Sequence, residues 1–401
     1  MTTLSNEKQG SIQQALSEEE RTQIIITNWI RISNIKLGWI NDFNKFIVNY
    51  VIIDYTTFND CQLICSGSAD KTVRVWDIET NKQIQLFNGH LGYVYSAKFS
   101  SYHNYNYHRN VICSSSTDKT IRFSDVNDNQ QLQVFNEHTQ GVLDIEFSSF
   151  NGGRYLCSGS KDKTIRLWDV ETSKNLHTFN GHEESVWSVK FSPLQNNNNN
   201  IGVIGGNGYT ICSGSRDKTI RIWDVETTKQ LIEFKGHEKW IMNVKYGSNK
   251  LGNIGCSNTI LSSSQDNSVR LWDIRSGQQI QIFNGHKHWI HEVEYSPFVI
   301  NNIEVGGFSN VICSASLDKT IRFWDIRSNK DQLHAIHADA REDKGILCLK
   351  FISLKKKNEE KINDNCDIHL YYGSFKVLFN YSLIKYFLIN FFKNIMQSLY
   401  I

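Results

Sequence analysis

One segment, written six times with small changes, governs what this chain can become. CSGSADKTVRVWD (Cys65 to Asp77) returns as CSSSTDKTIRFSD (Cys113 to Asp125), CSGSKDKTIRLWD (Cys157 to Asp169), CSGSRDKTIRIWD (Cys212 to Asp224), LSSSQDNSVRLWD (Leu261 to Asp273) and CSASLDKTIRFWD (Cys313 to Asp325). The closing aspartates lie 48, 44, 55, 49 and 52 residues apart, a period that suits one four-stranded unit per copy. Apolar residues alternate within each unit, which fits strands and fits helix pairs poorly. In the third copy Val142, Ile145 and Phe147 mark a first strand, Tyr155 and Cys157 a second, Ile165 and Trp168 flank a third, and Leu176 and Phe179 mark a fourth. Ser160 to Lys163, between the second and third strands, is a tight polar turn joining antiparallel neighbours. One such meander cannot bury both of its faces, so the copies must stack around an axis into a closed ring whose inner strands are shielded.

These residues resemble the WD-repeat (WD40) β-propeller family. Trp-Asp closes five copies, and the matching Gly-His opener stands at Gly89-His90, Gly181-His182, Gly236-His237 and Gly285-His286, with Glu137-His138 as a degenerate version. The resemblance covers roughly residues 49–382. It implies an all-β fold, and the family's habit implies seven blades: six clear repeats plus a degenerate one. In that last blade Gly345 to Phe351 repeats the first-strand pattern, Ile368 to Ser374 and Lys376 to Tyr381 supply the next two strands, and Leu354 to Lys361 is a solvated loop. The resemblance further implies a hydrogen-bonded tetrad of opener His, second-strand Ser, turn Asp and third-strand Trp. Carried over, the tetrads are His138, Ser158, Asp162 and Trp168; His182, Ser213, Asp217 and Trp223; His237, Ser262, Asp266 and Trp272; and His286, Ser314, Asp318 and Trp324. The second copy has Ser124 in place of the Trp and the first lacks an opener His, so those two blades are expected to be locally weaker.

The flanks carry no repeat. Residues 1–16 read as a disordered polar tail. Over 17–48, Ile25, Trp29 and Ile32, then Ile40, Phe43, Phe46 and Ile47 running on to Tyr50, fall at helical spacing and predict a short helical extension abutting the first blade. The competing reading has part of this stretch supply an outer strand that closes the ring. The apolar segment 383–401 reads as a degenerate end completing the last blade. Lys385 and Lys393 leave uncharged runs too short for a membrane span, which takes about twenty apolar residues.

Composition narrows function. With 43 Lys+Arg against 41 Asp+Glu, a net charge of +2 and 21% charged residues, the chain lacks the excess of cations that phosphate binding demands, so nucleic acid is not an expected partner. MTTLSNEKQGSIQQ has neither a basic nor an apolar leader region, so the expected location is cytoplasmic or nuclear and the 9 cysteines are read as thiols. Cys65, Cys113, Cys157, Cys212 and Cys313 share one repeat position and behave as small core residues. No C-x-x-C pair, H-E-x-x-H or Gly-rich phosphate loop occurs, and a Ser-His-Asp set repeated in successive units is architecture rather than one catalytic centre. The expectation is a non-enzyme with no cofactor, no metal and no small-molecule substrate.

The long insertion Leu194 to Tyr209 and the loops Ser101 to Asn110 and Gly247 to Asn258 join first to second strands, so they crowd one rim and leave the repeat-turn rim open. On that open rim, the family's contact positions fall on Tyr93, Tyr95 and Thr117; Gly141, Leu143 and Lys161; Ser185, Trp187 and Arg216; Trp240, Met242 and Gln265; and Trp289, His291 and Leu317. Trp, Tyr, Met and Arg dominate protein interfaces because each covers much area at modest entropy cost. The expected function is thus a scaffold that binds protein partners through an aromatic rim. As alternatives, Trp272 to Arg275 and Trp324 to Arg327 resemble the box by which substrate receptors of cullin-4-type ubiquitin ligases dock their adaptor, with Arg275 and Arg327 as contacts, and the repeat also resembles G-protein β-like signalling subunits.

Overall fold

The computed structural model describes residues 50–58, 61–80, 82–193, 209–247, 258–296, 311–326, 332–338, 345–354 and 367–374. Each sequence copy folds as an antiparallel meander of four strands hydrogen-bonded in chain order. Blade one is β1 (Tyr50–Phe58), β2 (Cys61–Ser68), β3 (Val73–Asp77) and β4 (Lys82–Phe87). Blade two is β5 (Val94–Phe99), β6 (Val111–Ser116), β7 (Ile121–Asp125) and β8 (Gln131–Phe135), with a short helix, α1 (Ser101–Tyr107), after its first strand. Blade three is β9 (Val142–Phe147), β10 (Tyr155–Ser160), β11 (Ile165–Asp169) and β12 (Lys174–Phe179). Blade four is β13 (Val186–Phe191), β14 (Thr210–Ser215), β15 (Thr219–Asp224) and β16 (Gln230–Lys235). Blade five is β17 (Ile241–Tyr246), β18 (Thr259–Ser264), β19 (Ser268–Asp273) and β20 (Gln278–Asn284). Blade six is β21 (Ile290–Tyr295), β22 (Val311–Ser316), β23 (Thr320–Asp325) and β24 (His334–His337).

The propeller has six blades, not the expected seven. After blade six the described residues form a two-stranded hairpin, β25 (Ile346–Leu354) and β26 (Asp367–Ser374). The first two expected strands of the last repeat are thus present, while the third, over Lys376 to Tyr381, lies outside the described residues. The physical reason is in the sequence after Ser374: it has neither the Asp-Lys-Thr turn nor the Trp-Asp terminus that locks a third strand in the other copies. The hairpin joins blade six to blade one. Cys348, Ile352 and Tyr371 pack with Ile64 and Trp76, and the Leu349 amide donates to Glu292 Oε2 at 2.9 Å.

The expected N-terminal helical extension is not seen among the described residues. Residues 17–48 lie outside the described residues, and the described chain opens at Tyr50 as a strand: Tyr50, grouped by spacing with the helical positions, pairs with Ser68. The segments 1–16 and 383–401 likewise lie outside the described residues, and no described helix is long and apolar enough to cross a membrane.

Blades cohere through apolar faces that interleave across each junction. Cys157, Ile165, Leu167 and Phe179 of blade three meet Val186, Val189, Ile211 and Trp223 of blade four in one buried cluster. Small residues on the second strands let the sheets approach: a Cβ at Gly214 would lie 2.6 Å from Ile241 Cγ2 of the next blade. The six described cysteines, the five repeat positions and Cys348, are free and buried, and burial pushes the thiols of the five upward, away from reactivity.

Candidate functional site

The open rim is built on the turn between second and third strands. In blade four, Ser215 Oγ accepts the Asp217 amide at 3.1 Å, and Asp217 Oδ1 accepts the Thr219 amide at 2.9 Å and its hydroxyl at 2.6 Å. The next residue, Lys218, sits at φ 71°, and its counterparts Lys71, Lys119, Lys163, Asn267 and Lys319 are left-handed too. Side-chain oxygens thus accept the backbone N–H donors that the turn would otherwise leave unpaired, which stabilises a conformation lysine otherwise disfavours.

A relay ties each turn to the strand behind it. His182 Nδ1 lies 2.6 Å from Asp217 Oδ2, His182 Nε2 lies 2.7 Å from Ser213 Oγ, and Trp223 Nε1 donates to Ser213 Oγ at 2.8 Å. The same set closes at His138, Asp162, Ser158 and Trp168, at His237, Asp266, Ser262 and Trp272, and at His286, Asp318, Ser314 and Trp324. Blade two holds a set that the repeat pattern alone does not give: His90 is 2.8 Å from Asp118 and 2.9 Å from Ser114, with Ser124 where the indole belongs. The Gly89-His90 opener is the signal that points to it.

Burial depresses the imidazoles of His138, His182, His237 and His286 against the pull of their aspartates, so they are neutral at pH 7. Burial opposes ionisation of Asp162, Asp217, Asp266 and Asp318, but donors from the imidazole, the turn hydroxyl and backbone amides hold these carboxyls well below the usual range. Both shifts make the unfolded chain the better proton acceptor. Stability is therefore full above the ordinary histidine pKa of about 6.5 and falls as pH drops through the histidine and then the carboxylate range. Urea midpoints should be lower at pH 5 than at pH 7.5; equal midpoints would mean that folding leaves the proton affinity of these imidazoles unchanged, and a higher midpoint at pH 5 that they are charged in the folded state.

Inner strands deliver side chains to the same rim. Each inner strand of blades two to six carries one extra residue against its neighbour, a β-bulge at Tyr95, Leu143, Trp187, Met242 and His291. A bulge re-aims its side chain, and these are the positions after the first-strand Val or Ile. The residue before that apolar anchor is tied to the turn: the carbonyls of Tyr93, Gly141, Ser185, Trp240 and Trp289 accept the amides of Thr117, Lys161, Arg216, Gln265 and Leu317, each at 2.9 Å. In each of these triples the first and third residues are therefore joined by a backbone hydrogen bond.

Between units, the rings meet. Tyr95 and Trp187 contact edge to face at 5.9 Å, and Lys161 Nζ stands 5.7 Å from the Tyr95 ring centre. The Arg216 guanidinium lies 3.6 Å from the centre of the Trp240 ring, within cation–π range. Tyr93 is 51% exposed and Trp289 38%, beside Leu91 at 79%. Arg216 is exposed, while Tyr95, Lys161, Trp187, Trp240, His291 and Leu317 are half-buried. Met242 is buried, its sulfur 3.6 Å from Gln265 Nε2, and Gly141, Leu143 and Gln265 are buried too. Burial, with His288 nearby, lowers His291 to about 4, so this ring is an uncharged contact at neutral pH. Of the adaptor-box arginines, Arg275 is exposed in the turn after β19, on the rim opposite the aromatic one, and Arg327 lies outside the described residues.

A second feature is not foreseen by the repeat pattern. Opposite the repeat cysteine position, the inner strands carry Asp54, Lys98, Glu146, Lys190, Lys245, Glu294 and Lys350. Lys98 reaches Glu146 at 2.7 Å; Lys190 bridges Asp144 at 2.9 Å and Glu146 at 3.0 Å; Lys245 reaches Glu294 at 2.7 Å; Lys350 stands 3.9 Å from Asp54. Burial opposes these charges, yet the partners hold Glu146 below and Lys190 and Lys245 above their usual ranges. The signal in the chain is the residue before the strand-ending aromatic, which is charged in each of blades two to six: Lys98, Glu146, Lys190, Lys245 and Glu294. Among the described residues, no group of three or more His, Cys, Asp or Glu side chains is arranged to hold a metal ion.

A family model described as WD domain, G-beta repeat matches residues 55–77, 81–125, 129–169, 173–224, 228–273 and 277–325. Those six matches end on the six aspartates that close the sequence copies.

Proposed function

Because the chain belongs to the WD40-repeat family, we propose that it is a non-catalytic scaffold that holds a protein segment across its aromatic rim. The observation carrying this reading is the bulge. It sets Tyr95 and Trp187 edge to face with Lys161 beside the Tyr95 ring, and on the same rim Arg216 lies against Trp240, so large aromatic side chains and cations stand together there. Such surfaces bind well because little rotamer freedom remains to be lost. The relay aspartates and histidines are engaged with one another beneath the rim, and no solvent-exposed nucleophile is paired with them among the described residues.

The test is affinity purification with mass spectrometry of the full chain against a Tyr93→Ala, Trp240→Ala, Trp289→Ala variant. These rings are exposed or half-buried, so the variant should melt within about 2 °C of the parent, while co-purifying proteins should fall by roughly tenfold or more, the effect of losing hot-spot aromatics. A partner set unchanged by the triple substitution would place binding elsewhere.

A further inference from the structure

In four blades an indole fills the space between the third strand and the outer strand of the preceding blade. Trp168 stacks on Phe135 at 4.9 Å, and Trp223, Trp272 and Trp324 sit against Phe179, Phe234 and Phe283. All four indoles and all four phenylalanines are at most 3% exposed. The ring edge also touches the opener glycine: a Cβ at Gly181, Gly236 or Gly285 would lie 2.9 to 3.1 Å from the Trp Cη2.

Between blades one and two Ser124 stands at the position of that ring. The heavy atoms nearest a Cβ at Gly89 are those of Arg122 and Gln131, at 3.4 to 3.8 Å, where the sibling glycines meet an indole edge. Phe87, the counterpart of the buried phenylalanines, is half-buried, and so is Ser124. Ser114 is 4% exposed where Ser158, Ser213, Ser262 and Ser314 are 0%. The rest of the relay stands: His90 holds Asp118 and Ser114. In the sibling blades the serine hydroxyl accepts an indole N–H at 2.8 to 2.9 Å. Ser114 keeps that accepting lone pair and has no indole to fill it.

We propose that this notch is a binding site for an indole ring, seated on Phe87, edge against Gly89, with its N–H donated to Ser114 Oγ. The four intramolecular examples define both the shape and the hydrogen bond, so the ligand class is a planar aromatic of indole size with one donor on its edge. An N-alkylated ring satisfies the shape and lacks the donor.

Ligand-observed NMR on the full chain tests this with indole, 1-methylindole and N-acetyl-L-tryptophanamide. Indole should bind with a Kd on the order of 1 mM, the range of a fragment of its size, and 1-methylindole at least about tenfold more weakly. Ser124→Trp, which restores the family residue, should abolish indole binding and raise the melting temperature. Ser114→Ala should weaken indole about tenfold and leave 1-methylindole unchanged, and it carries the test if Ser124→Trp does not fold. Binding of the amide as well as indole would identify the source as a tryptophan side chain on a polypeptide; binding of indole alone would identify a small molecule. No saturation transfer at about 10 mM indole, or binding that survives Ser124→Trp, would overturn the proposal.

Discussion

Asp217→Ala should cost about 3–5 kcal/mol, the penalty for removing one partner from a buried charged network, and lower the melting temperature by roughly 6 °C or more. The carboxylate is almost buried and serves four donors: His182 Nδ1, the Glu183 amide, and the amide and hydroxyl of Thr219. Losing it orphans an imidazole N–H inside the sheet and frees the turn that holds Arg216 on the rim. Asp217→Asn keeps the volume but turns one acceptor into a donor facing other donors, so it should be nearly as damaging. Asp118→Ala is the internal control, because its relay ends at Ser114 with no indole clamped behind it. Thermal melts of the three variants decide the matter: if Asp118→Ala is the worst, the indole is not what makes the relay stiff.

Lys190→Ala should be comparably severe, again about 3–5 kcal/mol. Its ammonium lies between Asp144 and Glu146 and also donates to the Val189 carbonyl at 3.0 Å. Without it, two carboxylates face each other in the wall of the inner ring, with Lys98 left to answer Glu146 alone. The carboxyl of Glu146, held low by Lys98 and Lys190 against its burial, should then titrate at higher pH. The variant's deficit should accordingly shrink as pH falls through the carboxylate range, opposite to the acid loss expected of the parent. Urea midpoints from pH 3.5 to pH 8 measure this; a deficit independent of pH would assign the loss to packing of the lysine stem rather than to charge.

What the sequence makes legible is whatever the repeat states more than once. Six copies of Asp-Lys-Thr or its Asn-Ser variant fix six turns, and six closing aspartates end six third strands, so the blades and four relays can be placed before any coordinates exist. A pattern that stands once is harder to read. The two-stranded hairpin after blade six has the first-strand pattern of a repeat but no turn motif, and a count based on family habit fills in strands the residues do not specify. Tyr50 has helical spacing with residues before it, yet pairing with Ser68 supplies hydrogen bonds that local periodicity cannot foresee. The charged inner ring is hidden for another reason: Lys98, Glu146 and Lys190 look like ordinary polar alternation, and only the closure of the sheets brings residues nearly fifty positions apart within 3 Å.

The bulge on each inner strand separates two kinds of information. Val94, Val142, Val186, Ile241 and Ile290, immediately before it, are fully buried and bound to a narrow choice of residue. The bulged residue itself is Tyr, Leu, Trp, Met or His on what is otherwise the same backbone. Selection can therefore rewrite the face one letter at a time while the instructions for folding stay fixed, and a duplicated gene of this kind can acquire a new clientele without first learning a new fold.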